Sequence, residues 1–288
     1  MNKKIYWFLR YSLFKHPVRA ITFPFRVFPE CTVIGSGKAG TTALYHYLQQ
    51  HPCIEKSAYD ELGFYTDNYR LGLNWYRTLF PTIFTKKKIS KKYGNFLTYD
   101  VTPQYLQTPA IAKLMFNHFP KMKLIVLLRH PTEKSYSKYI ANKNANAVEI
   151  INGKQASFDQ FIDSEISFIE NFNKANPKLD ENYFNNLIPN STLARAFYGR
   201  FLSKWFEVFP KNNFLIIHSK DLAIDTNNTM QKIFRFLNLP EFKIPDTSKI
   251  NTQSYPPMEK TSRKKLNDFF EKYNDELFEL LEIKFKWD

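Results

Sequence analysis

The stretch that decides the fold is Val33–Leu48, VIGSGKAGTTALYHYL. Just before its first glycine, Cys31–Ile34 is a short apolar run that reads as a buried strand feeding a glycine turn. From Thr41 the pattern turns helical: Leu44, Tyr45 and Leu48 share one face, and His51-Pro52 ends the run. Strand, glycine-rich loop and helix together open a phosphate-binding α/β fold. Gly35, Gly37 and Gly40 let the backbone curl so that successive N–H groups meet one anion, and the helix start adds partial positive charge. Within the loop Ser36, Gly37, Lys38, Ala39 and Gly40 surround that anion. Lys38 supplies a full charge, and Thr41 and Thr42 supply hydroxyl donors. A nucleotide 5′-phosphate is the natural guest.

An ordinary nucleoside-triphosphate loop reads GxxxxGK[ST]. Here Gly35–Thr42 reads GSGKAGTT, with the glycines correctly separated but Lys38 inside the loop and Thr41 where the usual lysine stands. No apolar run ends in an aspartate that would organise Mg²⁺; Leu124–Leu128 ends in Arg129 instead. Both departures argue against an ATP-dependent kinase, which stays as the alternative on the same loop.

Outward from the loop, Phe96–Val101, Leu124–Leu128 and Phe214–Ile217 read as strands. Thr108-Pro109 caps a helix, and Ser157–Ala175, Leu193–Phe209, Met230–Leu237 and Leu266–Leu281 carry helical periodicity. The uninterrupted LIVLL of Leu124–Leu128 is typical of a central strand covered on both faces. The alternation predicts an α/β fold: a central parallel sheet of the P-loop type, flanked by helices on both faces. Arg129, at the end of a strand, stands where ligands bind in such sheets. The polar Asn142–Gln155 reads as a mobile loop. The run Lys86, Lys87, Lys88, Lys91 and Lys92 reads as a solvated loop or an electrostatic rim for an acidic acceptor.

Forty-one basic residues against 27 acidic ones leave a net charge of +14, which favours anionic partners without choosing among them. A nucleic-acid or anionic-surface binder would fit the charge, but no helix-turn-helix or finger signature accompanies it. Cys31 and Cys53 form no CxxC unit and no His/Cys cluster has zinc spacing, so neither a disulfide framework nor a metal is expected. Ile5–Phe14, IYWFLRYSLF, is interrupted by Arg10 and falls short of the roughly 20 apolar residues a span needs. Residues 1–30 therefore form a basic aromatic arm, either docked on the domain or in peripheral contact with a membrane, and residues 31–288 a single domain.

Val33–Pro52 resembles the 5′-phosphosulfate loop of the sulfotransferase superfamily, closest to the heparan-sulfate-type carbohydrate sulfotransferases and their bacterial relatives. Lys123–Tyr139, KLIVLLRHPTEKSYSKY, is similar to the family's 3′-phosphate motif, a strand ending in arginine with a serine eight residues later. The resemblance runs on through DELGFY (Asp60–Tyr65), DVTPQYL (Asp100–Leu106) and Phe197–Pro210. It implies metal-independent transfer of a sulfuryl group from 3′-phosphoadenosine 5′-phosphosulfate to a hydroxyl or amine of a carbohydrate. A small-molecule or lipid alcohol is the second possible acceptor.

By the same resemblance Lys38 stabilises the leaving phosphate oxygen, Arg129 forks onto the 3′-phosphate with help from Ser137, and Tyr198 lies near the donor. Glu61 stands where the glycan branch carries its general base, and Asp100 is a second base or a group that orients the acceptor. Gln104 lines the acceptor cleft; Tyr105 either joins it or packs in the core. The chain departs from the pattern at Asp60, where a lysine is usual, at Gly63, often histidine, and at Asn251–Gln253, where Lys-Gly-Arg is common. The departure at Asn251–Gln253, with the absent C-terminal cysteine pair and anchor, points to a cytoplasmic enzyme.

Overall fold

Every residue of Leu124–Leu128 is fully buried, because strand β3 (Lys123–Leu128) lies inside the sheet and has a core on each face. The computed structural model describes residues 17–148, 150–151, 154–248, 250, 255–283, 285 and 287. The main sheet is β2-β1-β3-β6, with β1 Cys31–Gly35, β2 Tyr99–Val101 and β6 Phe214–His218, and all its pairs are parallel. A two-stranded antiparallel ribbon, β4 (Ile150–Ile151) and β5 (Lys154–Gln155), stands apart from it.

The helices in chain order are α1 (Pro17–Ile21), α2 (Thr41–Leu48), α3 (Gly72–Thr78), α4 (Ile83–Tyr93), α5 (Ile111–His118) and α6 (Pro131–Asn144). They continue as α7 (Phe158–Ala175), α8 (Glu181–Asn190), α9 (Tyr198–Phe206), α10 (Ser219–Ile224), α11 (Thr226–Phe236) and α12 (Lys260–Leu281). Strand residues alternate between the two cores, as a period of two requires. Ile34, Leu124, Val126 and Leu128 join Ile162, Phe201, Trp205 and Phe270. Val33, Ile125 and Leu127 join Leu44, Leu48, Ile233 and Phe234 on the other face. The expected parallel sheet with helices on both faces is the observed one.

Several local expectations change. The lysine run is not a loop: it lies on α4, whose first turn is capped by Thr82 Oγ1 accepting from the Thr85 amide at 3.1 Å. Asn142–Gln155 is partly ordered by the end of α6 and the β4/β5 ribbon, with 149 and 152–153 outside the described residues. The helix predicted over Leu193–Phe209 is broken at Phe197, whose ψ of 62° is not helical, into a 3₁₀ turn and α9. Its four-residue apolar spacing survives the break, and Phe197, Phe201 and Trp205 are all buried. Of the basic aromatic segment 1–30, the arm sequence Ile5–Phe14 lies outside the described residues.

Candidate active site

Strand β1 runs buried to Gly35, where a Cβ would sit 2.6 Å from the Leu106 side chain, so only glycine lets the chain pass. The loop then turns through left-handed conformations at Lys38 (φ 65°) and Gly40 (φ 94°) before α2 begins at Thr41. Ser36 is tied back to the sheet through its amide, which donates to Leu127 O at 2.8 Å. The amides of Gly37, Lys38, Gly40, Thr41 and Thr42 find no backbone acceptor among the described residues. Free donors at the start of a helix form an anion cradle. Ala39 turns inward and is buried.

This cradle is one wall of a cavity of about 320 Å³. Ser36, Gly37, Lys38, Thr41 and Thr42 line it, with Glu61 and Gln104 from two other segments. The structure thus brings Lys38 and Glu61, which are 23 residues apart in sequence, to one pocket. Lys134, Lys138, Thr192 and Arg195 also line it, and sequence reading missed all four. Lys134 and Lys138 follow the strand-end motif at i and i+4 on α6, so helical spacing could have found them. Thr192 and Arg195 carry no local signal; only the fold delivers them.

Basic side chains dominate the electrostatics of this cavity. Burial, with Arg195 adding repulsion, pushes the Lys134 ammonium down to about 7. Lys138 is lowered too, by burial first and then by Arg195 and Lys38. Lys134 is held by donating to the Arg195 carbonyl and by the Tyr198 ring, 4.8 Å from its Nζ. Four cations against the single carboxylate of Glu61 match a guest with several negative charges.

Arg129 joins the second phosphate motif to the first. Its Nη1 donates to the Lys38 carbonyl at 3.1 Å and its Nη2 to Tyr255 Oη at 3.2 Å. Ser137 lies three residues beyond Lys134 on α6, hence on a neighbouring part of that helix face. Tyr198 is a strut behind the site: it is buried, donates to the Arg129 carbonyl at 2.9 Å, and does not line the cavity. Arg129 and Ser137 likewise lie outside that cavity's lining. Asn251–Gln253 lie outside the described residues.

Asp100 is placed differently from Glu61. Its carboxylate is fully buried, does not line the cavity, and is taken up by three hydroxyls: Thr102 at 2.8 Å, Tyr76 at 3.0 Å and Tyr105 at 3.2 Å. The Leu62 amide donates to it as well. Burial outweighs these bonds and pushes its pKa up to about 6. The same network holds the turn that carries Glu61. Thr102 Oγ1 accepts from the Gly63 amide at 3.1 Å and Tyr105 Oη from the Tyr65 amide at 3.2 Å. Tyr105 is therefore a core residue, and Asp100 is enclosed among the groups that hold the turn carrying Glu61. Glu61 itself sits at φ 52°, followed by Gly63 at φ 57°, where a Cβ would meet Asp67 Oδ2 at 2.9 Å. That left-handed backbone explains the glycine at this position.

Residues 29–277 match the family model for the Sulfotransferase domain. The membrane-associated sulfotransferase kil1 of Dictyostelium discoideum is 24% identical over 318 residues, covering 90% of this chain and 66% of that protein. The human bifunctional heparan sulfate N-deacetylase/N-sulfotransferase 3 is 26% identical over 282 residues, covering 88% of this chain but 30% of that protein. The chain thus spans less than two thirds of the length of these curated relatives. A crystal structure of a sulfotransferase from Alicyclobacillus acidocaldarius superposes with a TM-score of 0.65 over 90% of this chain and 98% of that one; at 21% identity this is a likeness of fold. The membrane-associated relative overturns the cytoplasmic placement expected from the sequence. No helix among the described residues is long and apolar enough to cross a membrane. A family model covering most of the chain makes this protein a member of the sulfotransferase family.

Proposed function

We propose that the chain transfers a sulfuryl group from 3′-phosphoadenosine 5′-phosphosulfate to a hydroxyl or amine of a carbohydrate. The observation that carries the reading is the shared cavity: an amide cradle with Lys38 on one wall and the Glu61 carboxylate on another. The heparan sulfate relatives support the carbohydrate acceptor.

In this reading Glu61 takes the proton of the attacking acceptor atom. The acceptor's new bond to sulfur forms as the bond from sulfur to the 5′-phosphate oxygen breaks, in line. Lys38 neutralises the charge that grows on that oxygen, and the amides of Gly37, Lys38, Gly40, Thr41 and Thr42 hold the 5′-phosphate. Arg129 and Ser137 take the 3′-phosphate, and adenosine 3′,5′-bisphosphate leaves. Lys134, Lys138 and Arg195 are additional cations on the same wall. Among the described residues no cluster of three or more His, Cys, Asp or Glu is placed to hold a metal, and the reading assigns charge neutralisation to the lysines.

The test is sulfuryl transfer to a glycan panel, read by mass spectrometry. Glu61→Gln should lose about 10²–10⁴-fold in kcat while still binding adenosine 3′,5′-bisphosphate. Lys38→Ala should lose about 10²–10³-fold. Full activity of Glu61→Gln moves the base elsewhere. Tight Mg²⁺-dependent ATP binding, with none of the bisphosphate, favours the kinase alternative.

A further inference from the structure

The charge and apolar surface left unused by the active site concentrate in two packed segments. Pro17–Pro29 and Tyr69–Thr98 contain Arg19, Arg26, Arg70, Arg77 and the five lysines of α4, and not one Asp or Glu. They are held together by backbone and side-chain bonds: the Val27 amide donates to Pro81 O at 3.0 Å and Arg26 Nη1 to Phe80 O at 2.6 Å. Lys86 pairs with Glu30. Lys87, Lys88 and Lys91 are exposed and make no ion pair with any described residue.

The same two segments expose large apolar groups. Ile21 is 78% exposed, Phe25 52% and Phe84 64%. Phe25 and Phe84 rest against each other with ring centroids 6.3 Å apart, and both stay exposed. On α4, Phe84, Lys87, Lys88 and Lys91 follow a spacing of three and four, so the ring and the unpaired ammonium groups share one helix face. No residue of α4 is fully buried, so the helix contributes almost nothing to the core. The sequence running into this face continues its composition, with Lys3, Lys4, Arg10 and Lys15 among Ile5, Trp7, Phe8 and Phe14.

We propose that this surface, Phe25 and Phe84 beside Lys87, Lys88 and Lys91, with Ile21 exposed four residues before Phe25, docks on an anionic phospholipid bilayer. A soluble polyanion would satisfy the lysines but leave the three apolar side chains in water. A bilayer surface satisfies both: headgroup phosphates meet the ammonium groups and the apolar groups enter the acyl boundary. The inference is independent of the acceptor and of the catalytic roles assigned above.

The test is co-flotation of the full chain with vesicles of phosphatidylcholine alone or mixed with phosphatidylserine, at low and high salt. The expected result is binding to the mixed vesicles only, weakened by salt. The triple variant Lys87→Gln, Lys88→Gln, Lys91→Gln should lower the partition coefficient about 100-fold. Phe25→Ser with Phe84→Ser should lower it about 10-fold. All these side chains are exposed, and unchanged circular dichroism and unchanged transfer to a soluble acceptor would confirm that the variants fold. Three outcomes overturn the proposal: no flotation with anionic vesicles, flotation of both variants like the parent, or binding of an oligonucleotide in place of vesicles.

Discussion

At the residue scale, the two carboxylates nearest the chemistry behave differently because of what surrounds them. Glu61 is exposed on the cavity wall, whereas Asp100 is sealed under it among Thr102, Tyr76 and Tyr105. Both are acids in short motifs beside aromatic residues, and the resemblance put Glu61 first as the base and Asp100 second. Burial separates them. For Asp100 the folded pKa, about 6, lies above the ordinary 3.8. The folded chain therefore holds a proton that the unfolded chain has already released between those values. Stability falls as pH rises through that window, and the penalty of about 3 kcal/mol is complete above it. Asp100→Asn should remove this slope from urea melts taken from pH 4 to 7. It should also lower kcat by about 10–100-fold with the donor KM unchanged, because the Glu61 turn loses an anchor. A mutant with full kcat would show that the network does not position Glu61.

At the scale of elements, α9 shows how a motif can be legible and its meaning not. Tyr198, Gly199 and Arg200 lie in the Phe197–Pro210 stretch that carries the family resemblance. In the structure they join α9 to α12. A Cβ on Gly199 would lie 2.9 Å from the Leu277 amide nitrogen, a backbone atom that cannot step aside. Arg200 makes a two-pronged salt bridge to Glu276, both bonds 2.8 Å, and stacks 4.7 Å from the Tyr273 ring. Tyr198, one residue earlier, reaches the Arg129 carbonyl. Gly199→Ala should therefore cost about 2 kcal/mol in chemical denaturation by forcing the helices apart, and should weaken bisphosphate binding through the displaced Tyr198. The α4 lysines teach the converse. A charge run has no apolar stripe to announce a helix, so the Thr82 cap and the surrounding chain, rather than periodicity, decide its form.

At the scale of the whole molecule, β3 is shared by two cores, so neither layer can unfold without exposing the other. Ile162→Val in one core and Ile233→Val in the other, both at fully buried sites, should each cost about 1 kcal/mol. Their effects should add within about 0.5 kcal/mol in the double variant, with the denaturant slope unchanged. A second transition, or a changed slope, would show the cores to be separable.

What the sequence determined by itself is local and periodic: the strand–loop–helix unit at Val33–Leu48, the doubly covered strand before Arg129, and the sheet class that follows from alternating elements. Those depend on backbone conformation and on which residues avoid water, both written within a few positions of chain. What only the tertiary structure decided is long-range: that Glu61 faces Lys38 across one cavity, that Lys134, Lys138, Thr192 and Arg195 complete it, and that Asp100 and Tyr198 stand behind it. Burial and charge proximity are properties of segments brought together from distant parts of the chain, and no short stretch of sequence contains them.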